Sequence, residues 1–173
     1  SERGEMLASV STDGRVLLWS AKKGLSFSEL MLLKRLPNLA PGADRGGEGV
    51  ISRQAAGLCL DFPAAGTDGG GVYFVGTEDG IVHKCSTSYA EQYLATYYGH
   101  SGPVYRLRCS PFAPDVFLTA SADWTVQLWH AKQEAPVMGF HSVGLTDVVH
   151  DAAWSPNCAT VFALVAADAR VEI

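Results

Sequence analysis

The stretch Phe117 to Trp129, FLTASADWTVQLW, reads as a β-hairpin, and the chain repeats it. Phe117 to Ser121 is an apolar run with small hydroxyl residues, and Asp123-Trp124 forms the turn. Thr125 to Trp129 then alternates, with Val126 and Leu128 on one face and Thr125, Gln127 and Trp129 on the other. Alternation with period two is the strand signature, and a two-residue break between two such runs marks a hairpin; Asp13-Gly14 is an Asp-Gly pair, which favours the positive φ angles of a tight hairpin turn. Leu7 to Trp19 (LASVSTDGRVLLW), Tyr73 to Cys85 (YFVGTEDGIVHKC) and Phe162 to Ile173 (FALVAADARVEI) share the layout. The turn aspartates align as Asp13, Asp79, Asp123 and Asp168, and Trp19, Cys85 and Trp129 each follow their aspartate at the same distance. A hairpin that recurs must bury its faces against its own copies, which excludes most folds open to a chain of this size.

The spacing sets the size of the unit. Asp79 to Asp123 is 44 positions and Asp123 to Asp168 is 45. A four-stranded propeller blade repeats every ~40–45 residues. Asp13 to Asp79 is 66 positions, so an insertion of about 22 residues separates the first two units. The expected fold is all-β, a partial β-propeller of about three and a half four-stranded blades. Residues 1–36 end a first blade, 37–53 form an inter-blade insertion loop, 54–98 the second blade and 99–141 the third. Residues 142–173 start a fourth. Propellers close with ~4–8 blades, so the chain is expected to be a piece of a longer one and not a unit that folds alone.

The remaining strands are read around the hairpins. Ser28 to Leu36 (SELMLLKRL) is an outer strand guarded by Lys34 and Arg35, with a short helix as the alternative. Pro37 to Arg53, rich in Gly and Pro, is a surface loop between blades; it is either a tolerated insertion or a docking loop. Ala55 to Phe62 is the inner strand of the second blade, ended by Pro63 as Pro111 and Pro156 end its counterparts. Tyr89 to Tyr98 is that blade's outer segment, its tyrosines packed between blades. In the third blade Val104 to Cys109 is inner and Ala135 to Phe140 outer, and Val148 to Pro156 opens the fourth.

Charge and composition exclude several functions. A formal net charge of −5, with few and scattered basic residues, argues against nucleic acid as a partner. No apolar run reaches the ~18 residues that span a bilayer, so no membrane partner is expected. The 4 cysteines include no CxxC pair, which favours a reducing compartment. The glycines at Thr67 to Gly71 lack a following lysine and helix, so they are not a phosphate loop. His83, Cys85, Cys109 and His150 lack the paired spacing of a zinc site and are read as ordinary core or surface residues. Cys59, Cys109 and Cys158 lie in or just after inner strands, where small buried hydrophobes are expected, and Trp19, Trp129 and Trp154 are read as core. No nucleophile motif or placed carboxylate pair is present, so no cofactor, metal or catalytic site is expected.

Gly99-His100, Ser110-Pro111, Asp123 and Trp129 together resemble a WD-repeat blade. That resemblance implies a buried hydrogen-bonded relay of His100, Thr119 or Ser121, Asp123 and Trp129. A buried carboxylate needs donors, and a buried indole N–H needs an acceptor, so His100 and Asp123 are read as structural and not as a catalytic dyad. Cys85 replaces the tryptophan in the second blade, and no Gly-His pair precedes its inner strand. His141 stands too far ahead of Ser155-Pro156 to match His100, so one complete relay is expected.

GTEDGIVHKC (Gly76 to Cys85) and SADWTVQLW (Ser121 to Trp129) resemble the propellers of dynein intermediate chains, with the intervening segment continuous from Lys84 to Trp129. The opening VSTDGRVLLWSAKKGLSFSELMLLKRL is more similar to axonemal members than to cytoplasmic ones, particularly a chain of the two-headed inner arm. The resemblance implies a non-catalytic scaffold that binds a dynein heavy chain tail alongside other intermediate and light chains. It also implies a place in the cytoplasm and cytoskeleton, at the axoneme of a cilium or flagellum. The alternatives are a generic WD-repeat adaptor of another complex, and an enzyme on a propeller scaffold. Trp124, in the third turn, is the candidate partner contact; packing on its own or a neighbouring blade is the other reading.

Overall fold

In the computed structural model, residues 6–21, 24–36, 54–64, 71–141 and 147–173 are described, and they contain strands and turns with no helix. The expected insertion at 37–53 and most of the glycine-rich connection lie outside the described residues. Fourteen strands form four antiparallel sheets.

The first sheet runs β1 (Met6–Val10), β2 (Arg15–Ser20), β3 (Ser26–Leu32). The second runs β4 (Gly57–Asp61), β5 (Val72–Thr77), β6 (Ile81–Ser86), β7 (Ala95–Tyr98). The third runs β8 (Val104–Cys109), β9 (Val116–Ser121), β10 (Val126–His130), β11 (Met138–Phe140). The fourth runs β12 (Val149–Trp154), β13 (Phe162–Ala166), β14 (Val171–Glu172). Each sheet is an up-and-down meander, and this is the WD-repeat blade and the partial propeller that the repeats predict. The SELMLLKRL segment is a strand, starting at Ser26 and ending at Leu32, and not a helix. The outer segments are shorter than expected: only Ala95–Tyr98 and Met138–Phe140 pair.

The core lies between sheets: the second and third bury both faces, and the first and fourth bury the face turned to their neighbour. Val16, Leu30, Met31, Leu33 and Ala55 meet Tyr73, Val75 and Cys85 between the first two sheets. Phe74, Val82 and Tyr97 meet Val104, Leu107, Phe117 and Trp129 between the second and third. Leu118, Ala120 and Val126 meet Val149, Ala152, Leu164 and Ala166 between the third and fourth. Phe117 and Leu118 therefore serve opposite seams, as strand alternation requires.

The hairpin turns are longer than the two-residue form expected from Asp-Gly. Ser121 N–H donates to Thr125 O at 3.1 Å and Trp124 N–H to Ser121 O at 3.3 Å. This is a three-residue loop closed by one left-handed residue, a type I turn with a bulge. Ser11–Arg15 and Ala166–Arg170 repeat both bonds. Only the residue after the aspartate has positive φ: Gly14 (83°), Gly80 (77°), Trp124 (68°) and Ala169 (66°). The aspartate is needed for its side chain. Oδ1 of Asp13, Asp123 and Asp168 accepts the N–H two residues on, each at 3.1 Å.

Candidate functional site

β9 and β10 set the site. Their register places Thr119 opposite Gln127 and Phe117 opposite Trp129, with the indole of Trp129 folded back over the β9 hydroxyl. The segment entering β8 brings His100 over the same hairpin. Trp129 Nε1–H donates to Thr119 Oγ1 at 2.7 Å, and His100 Nε2 lies 2.6 Å from that hydroxyl. His100 Nδ1 lies 2.9 Å from Asp123 Oδ2. One proton arrangement satisfies every atom: the indole donates to Thr119, Thr119 donates to His100 Nε2, and His100 Nδ1–H donates to Asp123.

The carboxylate is held from several further sides. Ser101 N–H donates to Asp123 Oδ2 at 3.0 Å and the Thr125 hydroxyl to Oδ1 at 2.7 Å. Burial alone would raise the pKa of Asp123, but the bonds from His100, Thr125 and Ser101 outweigh it and hold the carboxyl below the usual carboxylate range. The His100 side chain is 0% exposed and that of Asp123 9%. No solvent face is left on the imidazole for a substrate. Ser121 stands apart from this chain: it lies nearer the turn, donates to Gly102 O at 3.0 Å and accepts from Asp123 N at 3.2 Å. The structure therefore uses Thr119 for the link to Trp129 and Ser121 for the turn.

The other blades depart in ways set by one position. In the first, Trp19 Nε1–H donates to Ser9 Oγ at 2.9 Å, the same indole–hydroxyl bond. Sequence reading passed over this half-relay, although Ser9 precedes Asp13 as Thr119 precedes Asp123. In the second, the matching residue is Val75, which cannot bond an indole, and Cys85 packs in the tryptophan's place with Sγ 3.6 Å from Met31 Sδ. Beside it the His83 ring stacks on Tyr93 at 3.8 Å, and burial lowers the His83 pKa to about 4. In the fourth the match is Leu164, again apolar.

The cysteines are free thiols. Burial pushes Cys59 and Cys85 up to about 12, so neither is a thiolate at neutral pH. Cys158 is exposed, and not buried as expected, because the whole turn after β12, residues 156–161, is open to solvent. Among the described residues, no three His, Cys, Asp or Glu side chains converge on a metal position. Trp124 is 51% exposed, and Trp19 and Trp154 are only partly buried. Tyr97 and Tyr93 do bridge blades, through bonds from Tyr97 to Ala131 O and from Tyr93 to Lys34 O, both at 2.8 Å. Tyr89 and Tyr98 are exposed.

A meander blade locked by an indole–hydroxyl–imidazole–carboxylate chain defines a WD-repeat β-propeller. The family model described as WD domain, G-beta repeat matches residues 91–130. Over nearly its whole length the chain is similar to axonemal dynein intermediate chains. It is 47% identical to dynein axonemal intermediate chain 4 of Mus musculus, covering 99% of this chain and 21% of the relative. It is 46% identical to that of Homo sapiens, covering 98% and 20%. It is 35% identical to the 78 kDa intermediate chain of the flagellar outer arm of Chlamydomonas reinhardtii, covering 100% and 25%. The chain thus spans about a fifth to a quarter of these relatives.

Proposed function

We propose that this chain is part of a non-catalytic propeller scaffold in an axonemal dynein complex, binding a heavy chain and supporting assembly and anchoring of the arm. The observation that carries the reading is the 47% identity to an axonemal intermediate chain, sustained across 99% of this chain. The axonemal, ciliary and flagellar names of the relatives support a place in the cytoskeleton of the cilium or flagellum. The non-catalytic reading has its own physical support. Among the described residues, the one histidine–carboxylate pair that resembles a dyad is spent on Thr119 and Trp129 and is closed to solvent. Its role is to tie the β9–β10 hairpin to the segment entering β8. Light chains and other intermediate chains complete the expected set of partners.

The test is affinity purification of the full-length tagged protein from salt-extracted axonemes of ciliated cells. Stoichiometric dynein heavy chains are the expected result, and their identity fixes the arm. Recovery of a different multiprotein complex without heavy chains sinks the dynein reading in favour of a general adaptor.

A further inference from the structure

The residue that closes each of the first two hairpin turns lies against the segment leading into the next sheet. A Cβ on Gly14 would stand 2.9 Å from Ala55 O, and one on Gly80 would stand 2.6 Å from His100 O and 2.9 Å from Gly102 O. Both glycines have positive φ. Trp124 occupies the same turn position, also with positive φ, yet carries the largest side chain of all. Glycine would suit this backbone better, because a side chain is disfavoured in the left-handed region. Burial does not account for the choice either, since 51% of Trp124 is exposed.

The spacing at the first two turns indicates what stands across the seam from the third. Ala55 and Gly102, the residues beside the first two turns, lie two positions before β4 and β8. The matching residue two positions before β12 is Asp147. Its Oδ1 accepts Val148 N–H at 2.8 Å, which fixes the carboxylate and leaves Oδ2 for another donor. The other acids of the turns have cations of their own: Asp13 pairs with Arg15, Glu78 and Asp79 with Arg35, and Asp168 with Arg170. Among the described residues no cation pairs with Asp147.

Resting on the scaffold reading above, we propose that Trp124 and Asp147 form an anchor for a lysine or arginine of a protein partner, the dynein heavy chain. The cation lies over the indole face and pairs with the carboxylate. An aromatic face and a carboxylate together select a cation over a neutral side chain. The net charge of −5 favours a basic partner segment.

The test uses full-length tagged protein carrying Trp124→Gly, Trp124→Phe or Asp147→Asn, purified from axonemal extracts at two salt concentrations. Heavy chain per bait and the melting temperature of each bait are read together. Trp124→Gly is expected to keep or raise the melting temperature while cutting heavy-chain recovery about fivefold, the scale of a cation–π contact. Asp147→Asn is expected to lower recovery with no change in melting, and its deficit shrinks at high salt. Trp124→Phe falls between wild type and glycine. Wild-type recovery by Trp124→Gly or by Asp147→Asn overturns the proposal, as does a lowered melting point for Trp124→Gly with normal binding by Asp147→Asn. If the wild-type protein brings down no heavy chain, the dynein reading fails and this anchor falls with it, whereas wild-type binding that the variants leave unchanged overturns the anchor alone.

Discussion

Thr119 carries more than its size suggests. Its hydroxyl is at once the acceptor for Trp129 and the donor to His100, and it is 0% exposed. Valine matches its shape and removes both bonds, leaving an indole N–H and an imidazole nitrogen buried without partners. An unmet buried polar group costs ~1–3 kcal/mol, so Thr119→Val in the full-length protein should lose about 2–4 kcal/mol in chemical denaturation. Thr119→Ser should lose less than half of that. Titration gives a second test at this scale. The His83 pKa is about 4 in the fold against an ordinary 6.5, so the unfolded chain takes up a proton that the folded chain refuses. Stability is therefore full above pH 6.5 and falls as pH drops from 6.5 towards 4. Asp123 adds a second loss at lower pH: its depressed value stabilises the fold above the ordinary carboxylate range, and this is lost as the carboxyl protonates. His83→Gln should flatten the melting curve between pH 6.5 and 4 while leaving the steeper acid loss in place. Gln127, at the matching position of the third blade, shows that an amide fits there.

At the level of hairpins, the aspartate period was enough to locate every central pair, because a turn residue with a backbone-bonding side chain leaves a mark in the sequence. Outer strands left weaker marks. β11 pairs over 3 residues, and β7 begins only after a connection that carries Tyr93 back to the preceding blade. That contact joins residues 59 positions apart; the tyrosines of YAEQYLATYY announce packing between blades, but not which of them reaches which backbone group. The turn type was misread for a similar reason: Asp-Gly suggests two positive φ angles, but the aspartate side chain stabilises a loop with only one. Trp124 shows the limit most clearly, since a tryptophan gives no hint that it will adopt a glycine's backbone. The relay was legible because its chemistry is demanding, but the choice of Thr119 over Ser121 depended on which hydroxyl lies level with the indole. One prediction belongs here. Gly80→Ala must hold positive φ and bring its Cβ to 2.6 Å from His100 O. It should destabilise the protein by more than ~1 kcal/mol, measured by thermal melting. Gly24→Ala, also at positive φ but with open space around it, should cost only the backbone term.

Across the molecule, the sheets are held together at seams of unequal kind. The first seam is closed at its surface by Arg35, whose guanidinium reaches Glu78 at 2.7 Å and Asp79 at 2.9 Å. The second is closed nearer the inner strands by Asp61, whose Oδ2 accepts Cys109 N–H at 2.8 Å. The third is closed by Trp154, whose indole donates to Arg108 O at 3.0 Å, and by Arg106 with Asp151 at 2.7 Å. By distance alone the arginine pairs include the shortest contacts, at 2.7 Å, yet they should matter least. Their partners are 25–53% exposed, where water competes for both ions and salt screens them. Asp61 differs because losing it strands the inner-strand N–H of Cys109 in a partly buried seam. Arg35→Ala is therefore expected to cost ~0–1 kcal/mol, shrinking with added salt. Asp61→Ala is expected to cost ~1–3 kcal/mol and to respond little to salt. Urea denaturation of the two full-length variants at low and high salt decides between these orders. A larger loss for Arg35→Ala would mean that the blades are joined chiefly by surface charge. The expected order instead makes the backbone bonds beside the inner strands the determinant of how one blade is set against the next. The angle between neighbouring blades is then fixed from the inside, and the outer rim, with its short strands, is left free to vary in sequence without disturbing the stack.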